Sequence, residues 1–402
     1  MPRVIGRVRL VKDRGSTLDG IRRRNLATVV ERVHRTGALS RAAITAATGL
    51  NRSTVAALVA ELEQLEILVE GDPLATARVG RPSPLVTASR VPVVIAVNPE
   101  VDAITVGIVG LGARVDTFVR HEVDRIASPE EAVEIIGDVV DGLATALTGR
   151  RVAGVGLAIP GLVRASDDVV RWAPHLGWRE SPIAALVEER LGVPCRAAND
   201  ATLGARAEHL FGSGRGIADL VYLNGGASGI GGGVVVDGSI VEGRDGYAGE
   251  YGQTRPGADA SDRLSEGGVL EDEVNRDRLL AVLGLSPHTD EVALEAALLA
   301  SRDRAVLNEV ARQQRILGAT LANAVNVLNP SVLVLGGFLA SLLAADRPGL
   351  EAATARSSLE SAWTGTRLVP AALGSARLLI GAAELAFAPL IADPAGWARG
   401  RG

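Results

Sequence analysis

The chain has a single cysteine, Cys195, among 402 residues. It can form no internal disulfide and no multi-cysteine zinc site, and a reducing compartment suits it. Lysine is almost absent, since all but one of the basic residues are arginine. A membrane-spanning run is missing too. The most apolar stretch, residues 324–345, is broken by Asn326, Asn329, Pro330, Gly336 and Gly337. Residues 1–19 carry Arg3, Arg7, Arg9, Lys12 and Arg14 without the apolar core of a secretory signal. The expectation is a cytoplasmic protein with no membrane partner. What is present is ordinary for a globular chain: 47% hydrophobic and 22% charged residues. That excludes a disordered chain, a collagen, a coiled-coil rod and a disulfide scaffold. At roughly 150 residues per domain, the length suits two to three domains.

Charge divides the chain. Up to Arg90 there are 15 Lys+Arg against 8 Asp+Glu, and beyond it 27 against 39. A basic leader on an acidic body points to a polyanion-binding module joined to something else. The alternative is merely an arginine-rich composition, so the pattern inside the leader decides.

That pattern reads as a winged helix. Residues 21–34 carry Leu26, Val29, Val30 and Val33 on one stripe at helical spacing, and Gly37 ends the helix. Ser40 caps a second helix over 41–48, with Ala42, Ile44 and Ala47 expected inward. Gly49 turns the chain, and Asn51 caps a third helix through Leu65 with Val55, Leu58, Val59 and Leu62 inward. Two short helices across a glycine turn, preceded by another, form a helix-turn-helix. The third helix would enter the major groove by its start: Asn51, Arg52, Ser53, Thr54 and Ala57. Arginine can pair bidentately with guanine, and the hydroxyls can meet phosphate or base. A purely structural three-helix bundle is the bland alternative. Residues 67–70, the turn Gly71-Asp72-Pro73 and residues 78–82 describe strand, turn and strand. Pro82 keeps Arg81 extended, able to enter a narrow minor groove. A solvated linker would show the same short Gly/Pro signal.

A fresh start at Val91 opens an α/β body. Strands are expected at 92–97, 104–109, 113–119, 152–158, 193–198, 220–223 and 332–335. Helices are expected at 129–147, after Asp200 to Phe211, and at 270–283, 289–300 and 302–328; Gly225 to Gly233 is read as a turn. A strand-rich start followed by helices, occurring twice, suggests two lobes about a cleft. Two independent domains without a shared site would give the same pattern.

Within this body stand, in order, Val155-Gly156-Leu157-Ala158-Ile159-Pro160-Gly161, Ala173-Pro174-His175-Leu176-Gly177-Trp178, Asn199-Asp200-Ala201, Gly229-Ile230-Gly231-Gly232-Gly233, Gly249-Glu250-Tyr251-Gly252 and Leu328-Asn329-Pro330 with Leu335-Gly336-Gly337. Together they resemble the ROK family of sugar kinases and transcriptional repressors, over residues 91 to about 392. The winged helix resembles that family's repressor branch. The resemblance implies an α/β, actin-like, hexokinase-like pair of lobes with sugar in the cleft. The domains would be 1–90, a winged helix-turn-helix, and 91–402, a sugar-binding domain with lobes of about 91–215 and 216–402.

By that resemblance, Asp200 matches the family's catalytic base, which accepts a sugar hydroxyl proton during phosphoryl transfer. Asn199 offers donor and acceptor, and Glu250 and Glu271 match sugar-contacting carboxylates. Convergent polar groups suit a polyol, because an unpaired buried partner costs about 1–3 kcal/mol. Asp200 as a mere helix cap is the alternative. The chain departs from the kinase pattern in four places. Where the kinases carry Asp-x-Gly-Gly-Thr, this chain has Asn98-Pro99-Glu100-Val101-Asp102, which brings no glycine N–H groups to a phosphate and adds two carboxylates. Where the family holds zinc, Gln253, Asp262, Leu264 and Val269 stand, so no metal and no cofactor is expected. Gln253 can hydrogen-bond the sugar but takes no proton. His175 replaces an expected Asn, altering sugar preference or nothing. Gly229 to Gly233 can cradle a phosphate or form a tight turn.

These readings converge on a non-enzymatic, sugar-responsive repressor. Its partners would be operator DNA and a sugar or sugar-phosphate effector, and it would act as a homodimer or higher homo-oligomer. The alternatives are an active ATP-dependent sugar kinase carrying a DNA-binding domain, and a regulator that answers to a protein partner.

Overall fold

The computed structural model describes residues 18–71, 84–226, 228–256, 262–264 and 268–400. They fall into two compact units: residues 1–89 with 388–402, and residues 90–387.

The first unit holds α1 (Leu18–Thr36), α2 (Arg41–Thr48) and α3 (Arg52–Gln64). A small antiparallel sheet of β1 (Leu39–Ser40), β2 (Leu68–Gly71) and β3 (Leu85–Ala88) has the order β1-β3-β2. Local chemistry sets these bounds. The Ser40 side chain accepts the Ala43 N–H at 3.1 Å, and Gly49 closes α2 in the left-handed conformation at φ +70°. The apolar stripes Leu26/Val29/Val30/Val33 and Val55/Leu58/Val59/Leu62 meet in a core where none is more than 4% exposed. Of the three α2 residues expected inward only Ile44 is buried; Ala42 and Ala47 are exposed. Ala42 lies two residues from Ile44, about 200° round the helix. The wing segment with Arg81 lies outside the described residues.

The sugar-binding domain was expected to run to residue 402. The last residues instead belong with the first unit, where the helix Pro394–Arg399 packs against α1 with Ala395 and Ala398 buried.

The second unit contains one arrangement twice. In the first lobe β4 (Pro92–Pro99), β5 (Ala103–Gly110) and β6 (Arg114–Glu122) form an antiparallel meander. After α4 (Pro129–Gly142) and α5 (Ala144–Leu147), β7 (Arg151–Ile159) pairs parallel to β4. A side sheet of β8 (Leu162–Arg164), β9 (Val169–Ala173) and β10 (Trp178–Ser181) follows. After α6 (Ile183–Leu191), β11 (Cys195–Asn199) pairs parallel to β7 and leads into α7 (Asp200–Phe211). In the second lobe β12 (Leu220–Gly226), β13 (Gly229–Val236) and β14 (Ser239–Ile240) are the meander. The helices α8 (Leu270–Glu273), α9 (Arg276–Leu283), α10 (Glu291–Ala300) and α11 (Arg304–Leu328) precede β15 (Val332–Gly337), which is parallel to β12. The short helices α12 (Phe338–Ala345), α13 (Arg347–Ser357) and α14 (Glu360–Trp363) lead to β16 (Arg367–Pro370), parallel to β15, and then α15 (Arg377–Ala392). The sheet orders, β6-β5-β4-β7-β11 and β14-β13-β12-β15-β16, are the same. The central strands are apolar on both faces because helices cover both.

Each lobe has its own core. Ile95, Val106, Val155 and Leu157 meet Ile136 of α4 and Val187 of α6; Val221, Leu223, Leu333 and Leu335 meet Leu317 and Leu321 of α11. Gly374–Ala392 is long and apolar enough to cross a membrane, but 56% of that window is buried in the protein, as in a core helix.

The expected turn over Gly225–Gly233 is instead the end of β12 and the start of β13. These glycines serve close packing. A Cβ on Gly231 would stand 2.5 Å from the Ala201 Cβ, and one on Gly233 would collide with the Ala205 Cβ, so α7 lies directly on β13. The expected helices over 129–147 and 270–283 are each broken, at Leu143 and at Val274-Asn275.

Candidate functional site

In the first unit the start of α3 is built by Asn51. Its Oδ1 accepts the Thr54 N–H and the Ser53 Oγ–H, both at 2.8 Å. The cap therefore occupies the Asn51 oxygen and one Ser53 proton. Arg52, Ser53 and Ala57 are exposed and Thr54 is half-buried. Arg52 at the first helical position is the exposed cation of this set.

In the second unit a cavity of about 1170 Å³ is lined by residues from both lobes. All five residues expected at a sugar site, Asn199, Asp200, Glu250, Gln253 and Glu271, line it. Their positions follow from short-range bonds. Asn199, not Asp200, caps α7: its Oδ1 accepts the Thr202 N–H at 2.9 Å and its Nδ2 donates to the Gly161 carbonyl at 3.1 Å. Asp200 is the first helical residue, and one of its oxygens accepts the Ala201 N–H at 2.8 Å. Enclosure by the protein pushes the Asp200 carboxyl up to about 7, with Glu250 adding repulsion; the Ala201 N–H and Arg377 oppose the rise. Glu250 is also raised, by burial first and then by Glu271.

Glu271 sits on α8, beside the β13 strand. Its carboxylate accepts the Ile230 N–H at 3.1 Å and the Gln253 Nε2–H at 2.5 Å. A Cβ on Gly229 would strike that carboxylate. The Ile230 N–H of the glycine run is thus taken by an anion rather than left open to a phosphate. α8 is anchored from behind: Arg312 donates to Glu273 at 3.2 Å, to the Glu273 carbonyl at 2.8 Å, to Glu309 at 2.8 Å and to the Asp262 carbonyl at 3.0 Å.

The far part of the cavity is lined by the β4–β5 turn. Glu100 is exposed there, with its N–H on the Ala103 carbonyl at 2.7 Å, and Asp102 pairs with Arg120 at 2.8 Å. Crowding by the cleft walls raises the Glu100 carboxyl, Arg120 opposes this, and Asp102 adds to it. Asp290 and Glu291 line the same cavity.

Several lining residues escaped the sequence reading. Arg377, at the start of α15, is 7% exposed, and its guanidinium lies 3.5 Å from Glu291. A lone arginine heading an apolar helix was the available signal. Trp172 and Tyr247 carried none that pattern alone could find. His175 is exposed on the cavity wall, so its replacement of the expected Asn falls within the cleft.

Among the described residues no three His, Cys, Asp or Glu are grouped to hold a metal ion. At the positions where the family's zinc ligands would stand, Asp262 pairs bidentately with Arg315 at 2.6 and 2.8 Å. The Leu264 N–H goes to Glu273, and the Val269 N–H to Asp272.

Two lobes of identical sheet order, joined by a polar cleft, define the actin-like and hexokinase-like class of α/β proteins. The sequence pattern of the ROK family matches residues 95–388, and the chain belongs to that family. A putative xylose repressor of Caldicellulosiruptor sp. (strain Rt8B.4) is 27% identical over 337 residues, covering 77% of this chain and 81% of that protein. A glucokinase of Streptomyces coelicolor is 28% identical over 294 residues, covering 67% of this chain and 90% of that enzyme. A crystal structure described as a ROK family transcriptional regulator, homolog of the E. coli MLC protein, has the same fold. It aligns with a TM-score of 0.73 at 22% identity over 92% of this chain and 97% of that one.

Proposed function

We propose that this protein is a sugar-responsive, DNA-binding transcriptional repressor of carbohydrate-metabolism genes, acting as a cytoplasmic homodimer. The observation that carries the reading is the unit of three helices and a small antiparallel sheet at the head of a ROK chain. α3 presents Arg52, Ser53 and Thr54 at its start, where groove readout needs them, and Arg81 joins from the expected wing. The basic charge of residues 1–90 fits a polyanionic partner. The glucokinase finds 90% of its length in 67% of this chain, whereas the regulator's fold covers 92% of it.

In the cleft, Asn199, Asp200, Glu250, Gln253 and Glu271 would hold the hydroxyls of a sugar. The Glu271 carboxylate on the Ile230 N–H, with Glu100 and Asp102 lining the same cavity, favours an unphosphorylated sugar over a sugar phosphate or nucleotide. Sugar and DNA are then coupled ligands, and each must change the affinity of the other by the same factor. Genomic fragments selected by the purified protein, and retested with a sugar panel, check this. The expected result is salt-sensitive binding to a palindromic site that one sugar weakens. Indifference to duplex DNA at every salt concentration would sink the reading.

One observation favours a second reading, an active sugar kinase carrying the same unit. Enclosure lifts the Asp200 carboxyl to about 7, which suits a catalytic base. Sugar-dependent ATP consumption at an enzymatic rate would establish it.

A further inference from the structure

The cavity exceeds what one sugar ring fills. Its 1170 Å³ lies above the roughly 300–1,000 Å³ typical of small-ligand sites. Charged side chains line much of it, the carboxylates Glu100, Asp102, Asp290 and Glu291 together with Arg120, Arg276 and Arg377. Aromatic side chains line it as well, in a chain with only 3% aromatic residues. Trp172, from the first lobe, and Tyr247, from the second, both line the cavity. Trp172 is 47% exposed, although it is large and apolar.

The two segments that carry these rings are brought together by the fold. Trp172 of β9 pairs in register with Leu162 of β8. Just beyond Leu162, the Ala165 N–H donates to the Asp245 carbonyl at 3.0 Å, and a Cβ on Gly246 would stand 2.9 Å from the Val163 carbonyl. The loop that carries Tyr247 is therefore seated against the strand beside Trp172. The indole is also held: the Arg179 guanidinium stacks 4.7 Å from its centroid. A fixed, exposed aromatic ring loses little entropy on binding. Its natural complement is the apolar C–H face of a pyranose, which gains by leaving water.

We propose that the cleft takes its effector as a glycoside of two or more sugar units. The first ring lies on Asp200 and its neighbours, and the next lies against Trp172 and Tyr247. The proposal rests on the reading of the cleft as a sugar site and adds the chain length of the ligand.

Calorimetric titration of the full chain with glucose, xylose, cellobiose, maltose and xylobiose tests it. At least one disaccharide should bind at least tenfold more tightly than its own monosaccharide. Trp172→Ala should remove that advantage and leave the monosaccharide Kd within about twofold. Trp172→Tyr, which keeps a ring, should retain most of it and so exclude a folding defect. Monosaccharides binding as tightly as their disaccharides would overturn the proposal and leave the sugar site standing, as would an advantage that survives both Trp172→Ala and Tyr247→Ala. No binding by any of the five sugars would overturn the sugar-site reading as well.

Discussion

Helix α3 begins Asn51-Arg52-Ser53-Thr54, and α7 begins Asn199-Asp200-Ala201-Thr202. In each the asparagine accepts the N–H of the threonine three residues on, at 2.8 and 2.9 Å. Each then places a charged residue at the first helical position. Arg52 is exposed; Asp200 stands in the cleft. A helix start carries partial positive charge, which suits the aspartate and disfavours the arginine. Helix stability therefore gives no reason for Arg52 to be there. At Asp200 the favourable dipole is outweighed by enclosure, which lifts the carboxyl to about 7. The cap fixes where a helix starts, and the surroundings decide what its first side chain does.

The largest expected effect is at Asp200. Asp200→Asn keeps the shape and removes the acceptor that can take a sugar proton or hold a hydroxyl strongly. The sugar-induced rise in Tm and the sugar effect on operator binding should both vanish, while DNA affinity without sugar stays unchanged. A normal sugar response would reduce Asp200 to a structural role. The same variant carries a pH signature. The folded carboxyl keeps its proton to about pH 7, whereas the unfolded one loses it near pH 4. Between those values the unfolded state binds fewer protons, so this group's contribution to stability falls as pH rises. Asp200→Asn should therefore gain stability relative to the native chain between pH 5 and pH 8, by about 1 kcal/mol after allowing for partial solvent access. Denaturation at both pH values measures it; a difference independent of pH would contradict the enclosure argument.

Arg52 comes next. Arg52→Ala should weaken operator binding by about 1–3 kcal/mol and leave the fold and the sugar response intact. Because the dipole disfavours a cation there, the variant should be as stable as the native chain or slightly more so. Unchanged affinity for the selected operator would remove Arg52 from the interface.

The helix starts were legible because capping is local: Ser40, Asn51 and Asn199 each bond within three residues of themselves. The repeated sheet order was not, since it depends on pairings such as Leu220 with Val332. Gly229 to Gly233 misled because glycine serves both turns and close packing, and only the position of α7 distinguishes them. The site was legible in part. Asp200, Glu250 and Glu271 stood in recognisable motifs, whereas Trp172 and Tyr247 converge only because a loop of one lobe seats on a strand of the other.

The smallest effects separate the two caps themselves. Asn51→Ala removes one oxygen that serves the half-buried Thr54 and the exposed Ser53, and should cost the first unit about 1 kcal/mol. Asn199→Ala removes the same cap from α7 and also strips the Gly161 carbonyl of its donor inside the cleft. That second loss adds to the lost cap, so the cost should be larger, about 1–2 kcal/mol. Because Asn199 also lines the cleft and caps the helix that begins with Asp200, its loss should lower sugar affinity, which Asn51→Ala should leave untouched. Paired denaturation and sugar titrations of the two variants make the comparison. Equal stability losses with equal sugar affinities would show that the two helix starts differ only in the charge they carry, and that the α7 cap has no part in the cleft.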